Sequence, residues 1–340
     1  MKRIGLGSLV LAFIAGLLFM GTTTEVSAQY TWTIGACIYK STESGQGLLY
    51  FKDLLEKNSN GRIKIKAVHL AGEVCCQKTC IDQIDLKAIE IVEISDGNYG
   101  AFSKTLRVLE LPYLFDNVET AGKILSGPAM DKLSAKVEKG DKRKLLTIIT
   151  SGSGRHLWTN VPVKTPSDLK GRKIRAVLSP VENETIKIWG GIPTPVPWGE
   201  LYQALQSKLV NGHLLQINLC EAMKGYEASP YCAEIDYKVS QVLGIFMNLD
   251  YWNSLPEDLK KVVQSSAREM QRWTFENARK FDNESKERIK KLGVTFYRPA
   301  PKEMKEWKES ALKIWPRFKG ECDEEVLNII LKAQNKTFPK

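Results

Sequence analysis

The sequence predicts an α/β fold, and three observations lead there. Residues 32–67 read as strand, helix, strand, which is the repeating unit of a parallel sheet. Residues 155–212 give a strand-turn-strand segment and then two helices separated by a proline-rich extended run. Pro256 opens a helical spacing that continues to about Leu292. A chain of 340 residues is long enough for two domains, and 43% hydrophobic with 26% charged residues describes a globular protein without long disordered tracts.

The N-terminus carries Lys2 and Arg3, an apolar run from Ile4 to Met20, and a polar stretch ending Val26-Ser27-Ala28. Small residues at the two positions read by signal peptidase predict a signal peptide over residues 1–28, cleavage near Ala28 and export to the periplasm. A retained anchor is the weaker reading, because the run is short and includes several glycines. No cysteine follows it directly, which argues against a lipid-anchored form. The formal charge is +10, but the lysines are scattered along helices with no aromatic-interleaved basic run, so nucleic acid is not an expected partner.

In order, Trp32 to Ile38 alternates as a first strand, and Leu48, Phe51, Leu54 and Leu55 recur at helical spacing until Asn58 to Gly61 breaks the helix. Ile63, Ile65 and Ala67 alternate with Arg62, Lys64 and Lys66 as a half-buried second strand. Ile89 to Ile94 is a third strand ending in Ser95-Asp96-Gly97-Asn98, where Asp96 is equally suited to a turn. An apolar segment from Leu106 to Phe115 precedes helices at Val118 to Leu125 and Met130 to Glu138, and Lys144 to Thr150 is a short strand. The small residues Ser151 to Gly154 fit a crossover where backbones approach closely.

Next comes a helix with Ser179 as N-cap, Pro180 at the first helical position and Glu182 closing a capping box. Gly190 and Gly191 stop it, and three alternating prolines make Ile192 to Trp198 an edge segment. Gln241 to Leu249 is an apolar strand, Val294 to Tyr297 another, and Lys302 to Ile314 and Glu324 to Ala333 are terminal helices.

Seven cysteines fit an oxidising compartment, and an odd count leaves at least one unpaired. Cys220 with Cys232 is one expected pair; one of Cys75 or Cys76 with Cys80 or Cys37 is another. The loop Glu73 to Cys80 lies where a strand gives way to a helix, the end of an α/β sheet at which ligands collect. A soft metal on Cys75, Cys80 and His213 or Cys37 is the competing reading, but the C-C-x3-C spacing matches neither a zinc finger nor a C-x-x-C motif. A disulfide-stapled wall is therefore expected, with Glu73 and Cys37 in the ligand-binding set and neither metal nor cofactor.

Lys173-Ile174-Arg175, Gly190 to Pro197 (GGIPTPVP), Gly199 to Gln206 (GELYQALQ) and Val210-Asn211-Gly212 together resemble the substrate-binding proteins of tripartite ATP-independent periplasmic (TRAP) transporters, of the dicarboxylate-binding type. Glu110 to Phe115 (ELPYLF) and Leu255 to Lys261 (LPEDLKK) agree with it, and the resemblance covers nearly the whole mature chain. It implies a two-lobed periplasmic binding protein fold with a hinge and a long helix spanning both lobes. The lobes would be 29–152 plus 241–280 and 153–240 plus 281–340.

The resemblance also nominates a site. Arg175 occupies the position whose arginine pairs with the ligand carboxylate, Arg155 matches a second arginine, and Trp198 stands where an aromatic ring covers the ligand. Ser95 and Asp96 follow the cleft-lining third strand. An ion pair of Arg175 with Glu182 or Glu184, core packing of Trp198, and a capping or surface role for His213 are the plain structural alternatives. Where many family members carry a polar ligand-binding side chain, this chain has Leu215, so a smaller or more apolar acid than a sugar acid is expected. The implied protein is a monomeric periplasmic receptor that captures an organic anion and presents it to TRAP permease subunits. Its rivals are a ligand sensor for a signalling kinase, an exported metal-binding protein, and an exported enzyme. The chain has no H-E-x-x-H or G-x-S-x-G motif and three histidines, which disfavours the enzyme.

Overall fold

A computed structural model describes residues 29–239 and 241–339; the expected signal peptide over 1–28 lies outside the described residues. The first lobe opens with β1 (Tyr30–Gly35), α1 (Glu43–Asn58), β2 (Ile63–His69), α2 (Lys78–Asp85), β3 (Ile91–Ser95) and α3 (Asp96–Gly100). It continues through α4 (Val118–Leu125), α5 (Pro128–Asp141) and β4 (Arg143–Ser151). The second lobe holds β5 (Arg155–Thr159), β6 (Lys173–Ala176), α6 (Pro180–Ile188), β7 (Ile192–Pro195), α7 (Leu201–Gln206), β8 (Gly212–Leu215), α8 (Ile217–Ala222) and β9 (Tyr231–Lys238). The chain then returns as β10 (Gln241–Asn248) and α9 (Leu249–Ser254), and runs on through α10 (Glu257–Lys290), β11 (Thr295–Tyr297), α11 (Pro301–Leu312) and α12 (Glu324–Lys332).

Two sheets result, in strand orders β2-β1-β3-β10-β4 and β11-β9-β5-β8-β6-β7. In the first, β1 pairs in parallel with β2 and β3, while β10 is antiparallel to both β3 and β4. The strand predicted from Gln241 onward thus re-enters the first lobe at its centre. Because β10 runs against its neighbours, its first residue, Gln241, sits at the same edge as the carboxyl ends of β3 and β4. The proline-rich segment forms edge strand β7, where missing N–H donors disturb one neighbour only.

Helix α10 has 34 residues and is therefore about 50 Å long. Its Leu259, Val263, Ala267 and Met270 share the first-lobe core with Leu48, Phe51 and Leu55 of α1, and its Ile289 reaches the second-lobe cluster of Trp158, Leu201 and Leu215. Gly47 permits the close approach of α1 to α10: a Cβ there would lie 2.4 Å from Thr274 Cγ2. The crossover at residues 152–154 is fixed by buried carboxylates. Gly152 adopts φ +70°, and its N–H and Asn218 Nδ2 both donate to Glu43. Asp282 of α10 accepts from the Ser153 N–H at 2.6 Å and from the Asn218 N–H at 3.0 Å. One side chain from each lobe's long helix thus grips the hinge.

Three sequence expectations are corrected. The chain beyond α11 does not stay in the second lobe: Ile314, Trp315, Val326 and Ile330 pack with Leu109, Val118 and Leu133 of the first, because α12 is amphipathic and its apolar face meets α5. Cys220 and Cys232 are both buried free thiols. The Cys220 thiol faces the backbone of Tyr226 and Cys232 lies in β9 opposite Trp158 of β5; the two share one buried cluster without being bonded. Glu182 does not close a capping box. Ser179 accepts from the Glu182 N–H as predicted, but the Glu182 carboxylate accepts from the Val177 N–H and pairs with Arg155.

Candidate functional site

A cavity lies between the two sheets. The first lobe contributes Cys37 and Ile38 beyond β1, Glu93 to Ser95 of β3, Asn98 of α3, Ser151 ending β4, and Gln241 and Leu243 of β10, with Gln77 from the cysteine loop. The second contributes Arg175 and Val177 at β6, Trp198, Leu215 at the end of β8, and Leu219 of α8. The site forms where strand ends from two α/β sheets face one another, the place such sheets offer to ligands.

Arg175 is the cation of this cavity. It is 1% exposed, its Nε donates to the Val196 carbonyl at 3.0 Å, and its Nη2 finds no acceptor among the described residues. Its Cζ stands 5.9 Å from the Trp198 ring centroid, and Trp198 meets Tyr39 of the other lobe edge-on at 6.3 Å. Burial pushes the Arg175 pKa down to about 10; nearby Glu182 supports the charge and Arg155 opposes it. The guanidinium therefore remains charged at neutral pH.

Arg155 does not line the cavity. Its Nη1 pairs with Glu182 and its Nη2 donates to the Leu214 carbonyl at 2.7 Å, with Cζ 5.9 Å from the Tyr237 ring centroid. The ion pair weighed for Arg175 is thus made by Arg155, which reaches Glu182 from strand β5. Burial alone would raise the Glu182 carboxyl, but Arg155 and Arg175 outweigh it and its pKa is lowered. The three charges form one buried group; Arg155 Nε and Arg175 Nη2 both lack an acceptor among the described residues, and Arg175 is the member that lines the cavity.

The other predicted residues divide. Ser95, Leu215 and Cys37 line the cavity with Arg175 and Trp198. Asp96 does not: its Oδ1 accepts from the Gly97 N–H at 2.8 Å and its Oδ2 pairs with Lys238 of the second lobe, so it serves the turn and the lobe contact. Glu73 is on the surface, paired with His69 at 2.9 Å. His213 is neither cap nor surface residue; it is fully buried on β8, beside Arg175 on β6 and parallel to the Trp158 ring at 6.3 Å. Burial, with Arg175 and Arg155 nearby, pushes its pKa down to about 3, so it is neutral.

Glu93, Asn98, Ser151 and Gln241 were missed. For Glu93 a signal existed: it is the single charge inside the buried apolar strand Ile91–Ser95. The others are polar residues at strand ends, indistinguishable in sequence from ordinary loop polarity.

The cysteine loop carries two disulfides, Cys37–Cys76 and Cys75–Cys80, so these sulfurs are not available as thiolates to a metal, and no group of metal-ligating side chains occurs among the described residues. The Cys37–Cys76 bond spans 39 residues and ties a cavity-lining position to the loop, whereas Cys75–Cys80 spans 5. By loop-closure entropy, replacing both Cys37 and Cys76 by serine is expected to cost about 4 kcal/mol and the other pair about 2 kcal/mol. Urea denaturation of the two double variants checks the order; equal losses would show that chain entropy does not govern it.

The family model for bacterial extracellular solute-binding protein, family 7, matches residues 35–321. The 2,3-diketo-L-gulonate-binding periplasmic protein of Escherichia coli is 27% identical over 257 residues, covering 76% of this chain and 77% of that protein. The ectoine-binding periplasmic protein of Halomonas elongata is 25% identical over 320 residues, 92% of each chain. A crystal structure of the latter superposes with a TM-score of 0.84 at 24% identity, covering 90% of this chain and 99% of that one. A TRAP periplasmic solute binding protein from Shewanella oneidensis, crystallised with succinate, gives 0.83 at 23% identity over 89% and 99%. The two-lobed fold is common to all of them.

Proposed function

Because the chain belongs to the bacterial extracellular solute-binding proteins, family 7, we propose that it is an exported receptor which captures an organic acid anion between its lobes and passes it to a TRAP membrane permease. The observation that carries this reading is Arg175: a buried, charged guanidinium in the cleft with an unused donor. A ligand carboxylate can accept from it with a charge-assisted bond, in a cavity where low dielectric strengthens the attraction. Trp198 covers the guanidinium on one side and touches the opposite lobe through Tyr39, so a ligand seated there favours the closed arrangement.

The chemistry of the remaining wall supports binding without turnover. Ile38, Val177, Leu215, Leu219 and Leu243 give an apolar mid-section suited to a short carbon skeleton, and Leu215 offers no hydrogen bond to a sugar-acid hydroxyl. No bond is made or broken in this reading. The protein is a receptor rather than an enzyme, reaching the periplasm after cleavage near Ala28.

A thermal-shift screen of the ligand-stripped mature protein against mono- and dicarboxylates, keto acids, amino acids and sulfonates tests it. An acid at one hundred times its dissociation constant adds about 2.7 kcal/mol and raises the melting temperature by several degrees. If no organic anion moves the transition, the proposal fails.

A further inference from the structure

Glu93 is placed where a carboxylate is expensive to keep. It sits in the middle of β3, 2% exposed, between Val92 and Ile94 of the first-lobe core. Its Oε2 accepts one hydrogen bond, from the Cys37 N–H at 3.1 Å. No bond to Oε1 occurs among the described residues, and the side chain opens into the cavity opposite the Arg175 lobe. Burial pushes the Glu93 carboxyl up to about 7, with only the Cys37 N–H opposing it.

Of the other buried acids, Glu110 keeps an unpartnered Oε1 but does not line the cavity, and the rest are held by the protein itself. Glu182 is held by Arg155 and the Val177 N–H, Asp96 by Lys238, and Glu43 by the Gly152 N–H and the Asn218 amide. Among the described residues Glu93 has the Cys37 N–H alone and no basic partner. On the same wall Asn98 Oδ1 is buried without a partner, while the Asn98 amide nitrogen is already given to Ser95 Oγ at 2.8 Å. Gln241 Oε1 is occupied by the Gln216 amide at 3.1 Å. Glu93 Oε1 and Asn98 Oδ1 are thus acceptors without a donor among the described residues, facing a lobe whose cavity charge is positive.

Resting on the Arg175 reading above, we infer that Glu93 is a specificity-determining residue that receives a cationic proton-donating group, so that the ligand is an amphoteric acid with a carboxylate for Arg175 and an ammonium or amidinium group for Glu93 and Asn98. The charges of such a ligand mirror those of the cavity, one cation and one anion, and the apolar residues between them accept its carbon skeleton. A dicarboxylate would place its second anion beside Glu93 and Asn98 Oδ1, where the ionised Glu93 carboxylate offers it no donor. A plain monocarboxylate would leave Glu93 buried and unpaired.

Isothermal titration calorimetry on the mature chain tests this with matched acids: 4-aminobutyrate against butyrate and succinate, and proline against cyclopentanecarboxylate. The amino acid of at least one set is expected to bind tenfold or more tighter than its counterparts. Glu93→Gln, which keeps an acceptor for the Cys37 N–H, is expected to weaken that amino acid by about tenfold to a hundredfold and to change the monocarboxylate by less than about threefold. Succinate or a monocarboxylate binding as tightly as the amino acid in both sets overturns the inference, as does a Glu93→Gln protein that keeps the preference. Arg175→Ala separates the two levels. If acids bind, are lost on Arg175→Ala and show no preference for the amino group, the assignment to Glu93 alone is wrong. If no organic anion of the thermal-shift panel binds the wild-type protein, the receptor reading falls and takes this one with it.

Discussion

Replacing Arg175 by alanine is expected to weaken binding of the acid found by screening by about thirtyfold or more while the free protein still unfolds in one cooperative transition. The guanidinium is almost fully buried, is anchored by a 3.0 Å bond from Nε to the Val196 carbonyl, and keeps Nη2 unpaired. Without it the ligand carboxylate would be buried with no counterion, and truncating one partner of a buried charge pair costs about 2–5 kcal/mol or more. That is roughly 30-fold to several-thousandfold in affinity. Arg175→Lys is expected to recover only a small part of the loss, because an ammonium cannot both hold the Val196 carbonyl and present a planar fork to a carboxylate. Calorimetric titration of the three proteins measures it; alanine binding within tenfold of wild type would remove Arg175 from the site.

The second large effect is on stability. Glu182→Gln is expected to destabilise the protein by about 3–5 kcal/mol, because it leaves the buried guanidiniums of Arg155 and Arg175 without their shared anion. The loss has a distinguishing companion. In the variant a ligand carboxylate becomes the anion beside Arg175, so a saturating acid is expected to stabilise Glu182→Gln by more than it stabilises wild type. Urea unfolding with and without ligand gives both quantities. A variant as stable as wild type to within about 1 kcal/mol would mean that the arginines are neutralised in some other way.

The comparison of sequence with structure turns on which physical signals are local. Alternation in Ile63–His69, the N-cap at Ser179 and the prolines of Ile192–Pro195 each act within a few residues, and each reappears as expected in β2, α6 and edge strand β7. The helical spacing after Pro256 likewise became one 34-residue helix. Strand β9 went unread: Tyr231–Lys238 mixes polar and apolar residues because its two faces meet different neighbours, Trp158 in one cluster and the Trp189–Trp307 pair in another. Cys220 and Cys232 flank a short segment, and proximity in sequence suggested a bond that the fold does not make, since both are buried free thiols.

The sequence by itself determined the α/β class, most of the element order and the long helix, because periodicity and capping are properties of neighbouring residues, and its resemblance to the TRAP receptors nominated Arg175 and Trp198 as site candidates. Only the tertiary structure decided the partners of the charges. Arg155 and Arg175 are both arginines at strand ends in the same lobe, yet Glu182 is hydrogen-bonded to the first and leaves a donor of the second free. Glu93 lies in an apolar strand that sequence reads as core, and it reaches the cavity because antiparallel β10 and the crossover at Gly152 bring the two lobes' strand ends face to face. Electrostatic energy depends on separation in space and on burial, and both are set by contacts between residues far apart in the chain.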